Sequence, residues 1–260
     1  MKQVLLANND ISYKKAFIAE TSISFPSFFF TLSSFLRILL LTAAAIFCLQ
    51  VYAQPVDAMQ KEAEYKKVIT ERAAKIVSTL GLTDSGKYDK VLNELVGQYA
   101  RLNAVHEQSK AAMAEISTQS VSGEERAASI KRLEEKKSSQ LLQLHSGFIA
   151  HLKESLTEDQ LEKVKDGMTY RVFPITYGAY LDMLPNLSPE QKDKIYNWLK
   201  EARELAMDEG SSDDKHKVFG KYKGKINNYL SAAGYDMKKE GEEWQKRIKE
   251  REAAKKRSMQ

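Results

Sequence analysis

The chain has 260 residues, of which 29% are charged, and its formal net charge is +5. A chain of this length can bury a hydrophobic core that is stable without cross-links. It contains one cysteine, which excludes an intramolecular disulfide.

Residues 1–53 are predicted to be a secretory signal peptide with a long N-terminal extension. Arg37 precedes an apolar run over residues 38–47, and the sequence VYA, which ends at Ala53, puts small residues at the −3 and −1 positions of a cleavage site. The apolar run is shorter than the roughly 20 residues of a membrane-spanning helix. We therefore expect cleavage before Gln54 and no integral membrane segment in the mature chain.

The predicted compartment is the periplasm or the cell surface. A lipoprotein anchor at Cys48 is the alternative, but Phe47 stands where lipid-attachment signals need a small residue. Without the leader, basic and acidic side chains are close to balance. An exported protein with this balance is not expected to bind nucleic acid.

The mature chain, residues 54–260, is predicted to be a single all-α domain, because it is rich in Ala, Glu, Lys and Leu and has few strand signals. Long helices are expected over residues 57–155, an irregular, aromatic-rich helical subdomain over 156–236, and a charged helix over 237–260. The expected architecture is a long antiparallel helical hairpin followed by a bundle of shorter helices.

The long helices follow from apolar periodicity. A first helix is expected over residues 58–80, ending at Gly81, and a second one beginning near Thr83 or Asp84. The apolar seam of the second helix keeps 4-3 spacing and consists of Tyr88, Leu92, Leu95, Tyr99, Leu102, His106, Met113 and Ile116. The seam of the third helix consists of Ile130, Leu133, Lys137, Leu141, Leu144, Phe148 and Leu152.

Two similar motifs, LTEDQ at 156–160 and LSPEQ at 187–191, each predict the start of a helix. The Thr or Ser is followed three residues later by Gln, which is a capping-box pattern, and Pro189 occupies the first helical position. The predicted helices cover residues 158–167 and 189–208. The apolar face of the second consists of Ile195, Trp198, Leu199, Ala202, Leu205 and Ala206.

The segment between these helices, residues 167–186, is rich in tyrosine and is predicted to be the least regular part of the chain. Gly167, Pro174, Gly178 and Pro185 are expected to interrupt it.

No catalytic, metal or cofactor motif is present in the sequence, so we predict no cofactor and no metal site. Asp213 and His216 lie three residues apart, but capping of a helix by Asp213 or Asp214 is the favoured interpretation. Carboxylates are scattered, and only the tertiary structure can show whether any form a pair, so enzymatic activity stays open.

The sequence GKYKGKINNYLSAAGY, residues 220–235, allows two interpretations. Its tyrosines fall on the inward stripe of a helix that ends at Gly234, and Gly220 and Gly224 would allow a close approach by another backbone. The remaining lysines and asparagines fit a ligand surface, because amides and charged groups bind sugar hydroxyls while aromatic rings stack on sugar rings. The candidate ligand-binding residues are Tyr170, Arg171, Tyr177, Tyr180, Lys221, Lys223, Lys225, Asn227 and Asn228.

The segments KVKDGMTYRVFPITYGAYLDMLPNLSPEQK, EARELAMDEGSSDDKH and FGKYKGKINNYLSAAGYD resemble the secreted bacterial domain-of-unknown-function family 3826. The signal ending VYAQ resembles those of Bacteroidetes exported proteins. This resemblance implies a sugar-binding role near polysaccharide use, with a glycan or oligosaccharide as partner. The LTEDQ and LSPEQ motifs are also similar to the LTxxQ signature of the Spy/CpxP periplasmic chaperones.

The main hypothesis is an exported, non-enzymatic protein that binds carbohydrate. The first alternative is a periplasmic helical chaperone or scaffold that holds a protein client through the hairpin. A polysaccharide-degrading enzyme is the third hypothesis.

Overall fold

The computed structural model describes residues 59–258. The predicted signal peptide and its cleavage site lie outside the described residues. All regular secondary structure within 59–258 is helical, which confirms the predicted all-α class. Within the same range, no helix is both long enough and apolar enough to cross a membrane.

The helices follow one another with short connections, and a 3-10 turn at Ser78–Leu80 follows the first of them. They are α1 (residues 59–77), α2 (Ser85–Thr118), α3 (Gly123–Lys153), α4 (Glu158–Met168), α5 (Val172–Met183), α6 (Pro189–Met207), α7 (Ser212–Ala232) and α8 (Met237–Ser258).

Local sequence sets where these helices begin and end. The predicted capping boxes are formed at Thr157 for α4 and at Ser188 for α6, and a further one at Ser122 starts α3. After the 3-10 turn and after α7, the chain turns at Gly81 and Gly234, which adopt positive φ angles of 66° and 96°.

Helices α2 and α3 pack side by side in antiparallel orientation. Near the base of the pair, Lys90 at the start of α2 lies 3.0 Å from Glu154, just beyond the end of α3. Helix α1 covers the same base, where the hydroxyl of Tyr65 donates to the carbonyl of Tyr99 at 3.1 Å. A first hydrophobic core fills the space between α1, α2, α3 and α4; its members include Ala73, Val77, Val91, Leu95, Leu102, Phe148, Leu152, Leu161 and Val164.

A second core lies between α5, α6 and α7. Its buried members include Phe173, Tyr180, Ile195, Leu199, Ala202, Phe219, Ile226 and Leu230, and Met237 at the start of α8 packs against it. Helix α4 contacts both α5 and α6, so it links this core to the one under the hairpin.

The segment between α4 and α6 is more regular than its composition predicts. Val172–Met183 forms a continuous helix that contains both Pro174 and Gly178. Pro174 is the third helical residue, where a backbone N–H has no partner within the helix, so its missing N–H costs no helical hydrogen bond.

Other predictions for α6 and α7 are wrong in detail. Leu205 is 52% exposed, whereas Arg203 is fully buried on the inward face of α6. The space that a Cβ would occupy at Gly220 or Gly224 is open, so no backbone approaches there. Ser211, rather than either aspartate, caps α7 by accepting the N–H of Asp214.

Candidate functional site

The nine predicted ligand-binding residues do not line a single cleft. Tyr180, Lys223 and Asn227 line a groove between α5, α7 and α8. Tyr170 and Arg171 line a different cleft between α1 and α4. The other four lie outside both, and they are Tyr177, Lys221, Lys225 and Asn228.

The first of these sites, which we call the α5–α8 groove, has a volume of about 340 Å³. Apolar side chains form much of its surface, and Ile175 in α5 is largely exposed to solvent there. Its lining residues are Ile175, Thr176, Ala179, Tyr180, Met183, Lys223, Asn227, Met237 and Trp244. Such a mixture of apolar surface with a few polar groups is typical of small-molecule sites.

A hydrogen bond fixes one wall of the groove. The hydroxyl of Tyr180, which is buried, donates to Oδ1 of Asn227 at 2.7 Å. Burial raises the pKa of Tyr180 to about 12, so the phenol keeps its proton. Since Oδ1 accepts this bond, the amide NH₂ of Asn227 is directed elsewhere, and it makes no hydrogen bond within the described part of the chain. Asn227 is exposed, so this NH₂ is available to a ligand.

A second wall is the indole ring of Trp244 in α8. Its Nε1–H donates to Oδ2 of Asp182 at 2.7 Å, and the guanidinium of Arg251 binds the same carboxylate through two bonds of 2.9 and 2.6 Å. These bonds, first from Arg251 and then from Trp244, lower the pKa of Asp182 to about 2. Arg247 adds bonds to the carbonyls of Asp182 and Met183. The charged helix α8 is thereby held against the end of α5, and the indole is held in one orientation.

Lys225 belongs to a separate aromatic group on another face of α7. Its ammonium lies 4.6 Å from the ring centre of Trp198 and 5.5 Å from that of Tyr222. The Trp198 ring meets Tyr229 edge to face at 5.4 Å, and Lys194 lies 4.6 Å from Tyr229. Both tyrosines of α7 are half-buried against the second core, as the inward stripe predicts. Lys225 is therefore a cation–π partner of these rings, and this contact explains its presence in α7 without a ligand.

The remaining three candidates have different surroundings. Tyr177 packs within an aromatic cluster, with ring centres 5.3 Å from Tyr196 and 6.4 Å from Phe173. Lys221 and Asn228 are exposed on α7 and line neither cleft.

The second site, which we call the cationic cleft, has a volume of about 580 Å³. Its lining residues are Lys75, Ile76, Thr79, Lys163, Asp166, Gly167, Tyr170 and Arg171. Tyr170 and Arg171 have φ angles of 56° and 57°, and no other non-glycine residue among those described has a positive φ. Each such residue costs about 1–2 kcal/mol, so the turn between α4 and α5 is strained at the edge of this cleft.

A cluster of charges around the buried Arg203 lies where α4 meets α6, and the sequence did not reveal it. Arg203 donates to Glu162 at 2.6 Å, to Asp166 at 2.7 Å and to Glu204 at 3.0 Å. Lys165 lies 3.1 Å from Glu204 as well. Burial opposes the charge of Arg203, but its hydrogen bonds to Asp166 and Glu162 outweigh burial and raise its pKa.

The cluster continues to the hairpin through His145 in α3. Its Nδ1 lies 2.9 Å from Asp208 and its Nε2 lies 3.5 Å from Glu204. The hydrogen bonds to Asp208 and Glu204 raise the pKa of His145 to about 9, so this imidazole is positively charged at neutral pH. His106 in α2 is 2.7 Å from the carbonyl of Asp208, so both hairpin helices are joined to the end of α6.

Glu204, at the centre of this cluster, is arranged as an ion-pair partner rather than as a general acid. Burial alone would raise the pKa of Glu204, but His145, Lys165 and Arg203 lower it to about 2. A carboxyl that is fully ionised at neutral pH cannot donate a proton there. In the described range, no group of three or more metal-binding side chains is placed to hold an ion.

Several residues of these sites were not identified from the sequence. Lys75 and Lys163 come from helices that only the tertiary structure brings together. Trp244 is an apolar residue in a charged helix, and this pattern indicates an anchor but not a groove. The burial of Arg203 could have been inferred from the sequence, because this residue lies among Leu199, Ala202 and Ala206 on the apolar stripe of α6.

No curated protein matches this chain. A family model described as protein of unknown function (DUF3826) matches residues 66–250. This range contains the helices that form the α5–α8 groove and the cationic cleft, except for the first residues of α1 and the last residues of α8. The match extends over more than half of the sequence, and the chain therefore belongs to the DUF3826 family.

Proposed function

We propose that the protein is a non-enzymatic carbohydrate-binding protein and that the α5–α8 groove is its binding site. The observation that carries this proposal is the pairing in one groove of a fixed indole, Trp244, with the unoccupied amide NH₂ of Asn227. A sugar ring has apolar C–H faces and hydroxyl groups at its edges. A sugar-binding site therefore needs an aromatic ring and a hydrogen-bonding group close enough together to contact the same sugar.

Each wall has a distinct role in this proposal. The ring of Trp244 and the side chain of Met183 contact the apolar face of a sugar. Asn227 donates to a hydroxyl, while Thr176 both donates and accepts. Lys223 is exposed at the rim and forms no ion pair within the described residues, so it is available for a further hydroxyl or for a uronate carboxylate.

Binding of carbohydrate is tested by probing a glycan array with the full chain. The array includes neutral and acidic polysaccharides of plants and hosts. Calorimetry on the hits then measures affinity. Absence of binding to every glycan on the array would refute the proposal.

A matched pair of variants tests the location of binding. Asn227→Asp keeps the oxygen that accepts the Tyr180 hydroxyl but removes the amide donor. We expect binding to weaken at least 10-fold, or about 1.4 kcal/mol. Asn228→Asp introduces the same change on the neighbouring exposed residue, and we expect it to alter affinity less than twofold. Equal effects of the two variants would show that the groove is not the site.

Export is part of the same proposal, and it is supported by the apolar run and the VYA sequence before Gln54. Mass spectrometry of the protein recovered from a periplasmic fraction should find an N-terminus at Gln54. Recovery of the intact chain from the cytoplasm would contradict export.

A helical chaperone or scaffold is the second candidate function, favoured by the free end of the hairpin. Between Leu102 and Phe148, no described side chain of α2 or α3 is fully buried, and Leu142 is 67% exposed. Stoichiometric protein should then suppress aggregation of a client, and Leu142→Glu should weaken this effect. A wild-type protein without any effect on aggregation would refute the candidate.

A further inference from the structure

The cationic cleft has a charge that its surroundings do not neutralise. Lys75, Lys163 and Arg171 are all exposed, and none of them forms an ion pair within residues 59–258. Asp166 is the one acidic residue that lines the cleft, and its carboxylate is held at 2.7 Å by Arg203. Three uncompensated cations in one concavity attract a ligand of opposite charge.

The backbone next to the cleft adds to this field. Helix α5 begins at Val172, directly after Arg171, and no side chain caps its N-terminus. The N-terminal end of a helix carries partial positive charge, and this is its whole contribution here, because the N–H of Val172 already donates to the carbonyl of Thr169 at 3.1 Å and Pro174 has no N–H. The contribution is secondary to the three side chains, but it has the same sign.

Backbone strain is concentrated at the same place. The left-handed turn at Tyr170 and Arg171 is held by the N–H of Arg171, which donates to the carbonyl of Asp166 at 2.7 Å. Thr169, which is fully buried, donates its hydroxyl to the carbonyl of Lys165 at 2.9 Å. Glycine would adopt these angles without strain, so the backbone conformation alone does not select tyrosine and arginine here. Such strain is typical of residues that are retained for a function.

Tyr170 gives the cleft an aromatic wall. Its ring is partly exposed and stacks on His216 in α7, with ring centres 5.8 Å apart and planes inclined by 25°. The stacking restricts the orientation of the ring. A ligand with an anionic group on a ring or chain therefore meets both a cation and an apolar surface.

We propose that the cationic cleft is a second binding site, which takes a small molecule that carries a carboxylate, sulfate or phosphate group. Lys75, Lys163 and Arg171 bind the oxyanion, with the Arg171 guanidinium suited to two parallel hydrogen bonds. Tyr170 contacts the remainder of the molecule. This site is separate from the α5–α8 groove and does not depend on the carbohydrate proposal.

Calorimetry with the full chain tests this site, and it uses three probes: a uronic-acid disaccharide, a sulfated disaccharide and inorganic phosphate. We expect at least one to bind, with affinity that falls as salt is added because exposed charges are screened. Binding by the disaccharides alone identifies an acidic saccharide as the ligand class, and binding by phosphate alone identifies a free oxyanion. The probes are tested up to 10 mM, which is about the weakest dissociation constant of interest. If none of the three binds at that concentration, the proposal is overturned.

Four variants locate the binding. Lys163→Gln and Arg171→Gln should each weaken it at least 10-fold, whereas Lys136→Gln, an exposed lysine of α3, should leave it unchanged. Arg171→Gly removes the guanidinium and also relieves the positive φ, so it should weaken binding while the melting temperature stays equal or rises. Unchanged affinity in Lys163→Gln and Arg171→Gln would overturn the proposal. Asn227→Asp distinguishes the two sites, since it should affect only the α5–α8 groove.

Discussion

Replacement of Arg203 by methionine should destabilise the protein by about 3 kcal/mol. Arg203 is fully buried and makes three charge-assisted hydrogen bonds of 2.6 to 3.0 Å to the carboxylates of Glu162, Asp166 and Glu204. Methionine keeps most of the apolar volume but leaves three carboxylates close together, with Lys165 as the nearest remaining cation.

The magnitude follows from the exposure of the carboxylates that are left behind. Removal of one partner from a fully buried ion pair costs about 3–5 kcal/mol. Here the carboxylate side chains are 23% to 30% exposed, so water can partly replace the guanidinium, and the lower end of that range applies. For a domain of this size, such a loss lowers the melting temperature by roughly 6–12 °C.

Urea denaturation at pH 7, followed by circular dichroism, measures this loss. Lys200→Met on the exposed side of the same helix is the control, and its free energy of unfolding should stay within about 0.5 kcal/mol of the wild type. A loss below about 1 kcal/mol for Arg203→Met, or a gain, would refute the claim that this cluster holds α4 to α6. Hydrophobic packing alone would then account for that contact.

Three further predictions follow from single contacts. A Cβ at Gly167 would lie 2.8 Å from the side chain of Ile76, so Gly167→Ala should destabilise the protein by about 1–3 kcal/mol. Gly178→Ala is the control: the space around this position is open, so alanine should stabilise α5 by up to about 1 kcal/mol, and thermal melts compare the two variants. The pKa of His145 is raised from 6.5 to about 9, so the stabilisation from its positive charge is complete below pH 6.5 and is lost as the pH rises. The free energy of unfolding, measured by urea denaturation, should fall by about 2 kcal/mol between pH 6.5 and 8, and His145→Gln should make it depend less on pH. Asp182→Asn removes the carboxylate that binds α8, so limited proteolysis should cut α8 faster, and an unchanged cleavage rate would contradict the proposed anchoring.

The sequence predicts the helices well because their ends depend on local chemistry. The capping boxes at Thr157 and Ser188 act within four residues, so the tertiary structure does not alter them. The predicted interruption at Pro174 is wrong, because the effect of a proline depends on its position in the helix and no capping side chain marks the start of α5. Arg171, which precedes α5, has a left-handed conformation that no propensity indicates.

The candidate sites were less predictable because they combine residues that are distant in sequence. Asn227 and Tyr180 could be proposed as ligand-binding residues from their types, but only the packing of α5 on α7 brings their side chains together. Trp244 joins them through α8, whose docking depends on Asp182. Tyr170 lies in the same aromatic segment as Tyr180, yet the turn before α5 directs it to a different cleft.

The most direct test of carbohydrate binding in the α5–α8 groove uses the two tryptophans of the chain. Trp198→Phe leaves Trp244 as the one fluorescent indole, within the groove, and Trp244→Phe leaves Trp198, outside it. When the glycan selected on the array is titrated into each variant, we predict a saturable change in Trp244 emission and none in that of Trp198. Glycan binding that leaves Trp244 emission unchanged would contradict the proposed site.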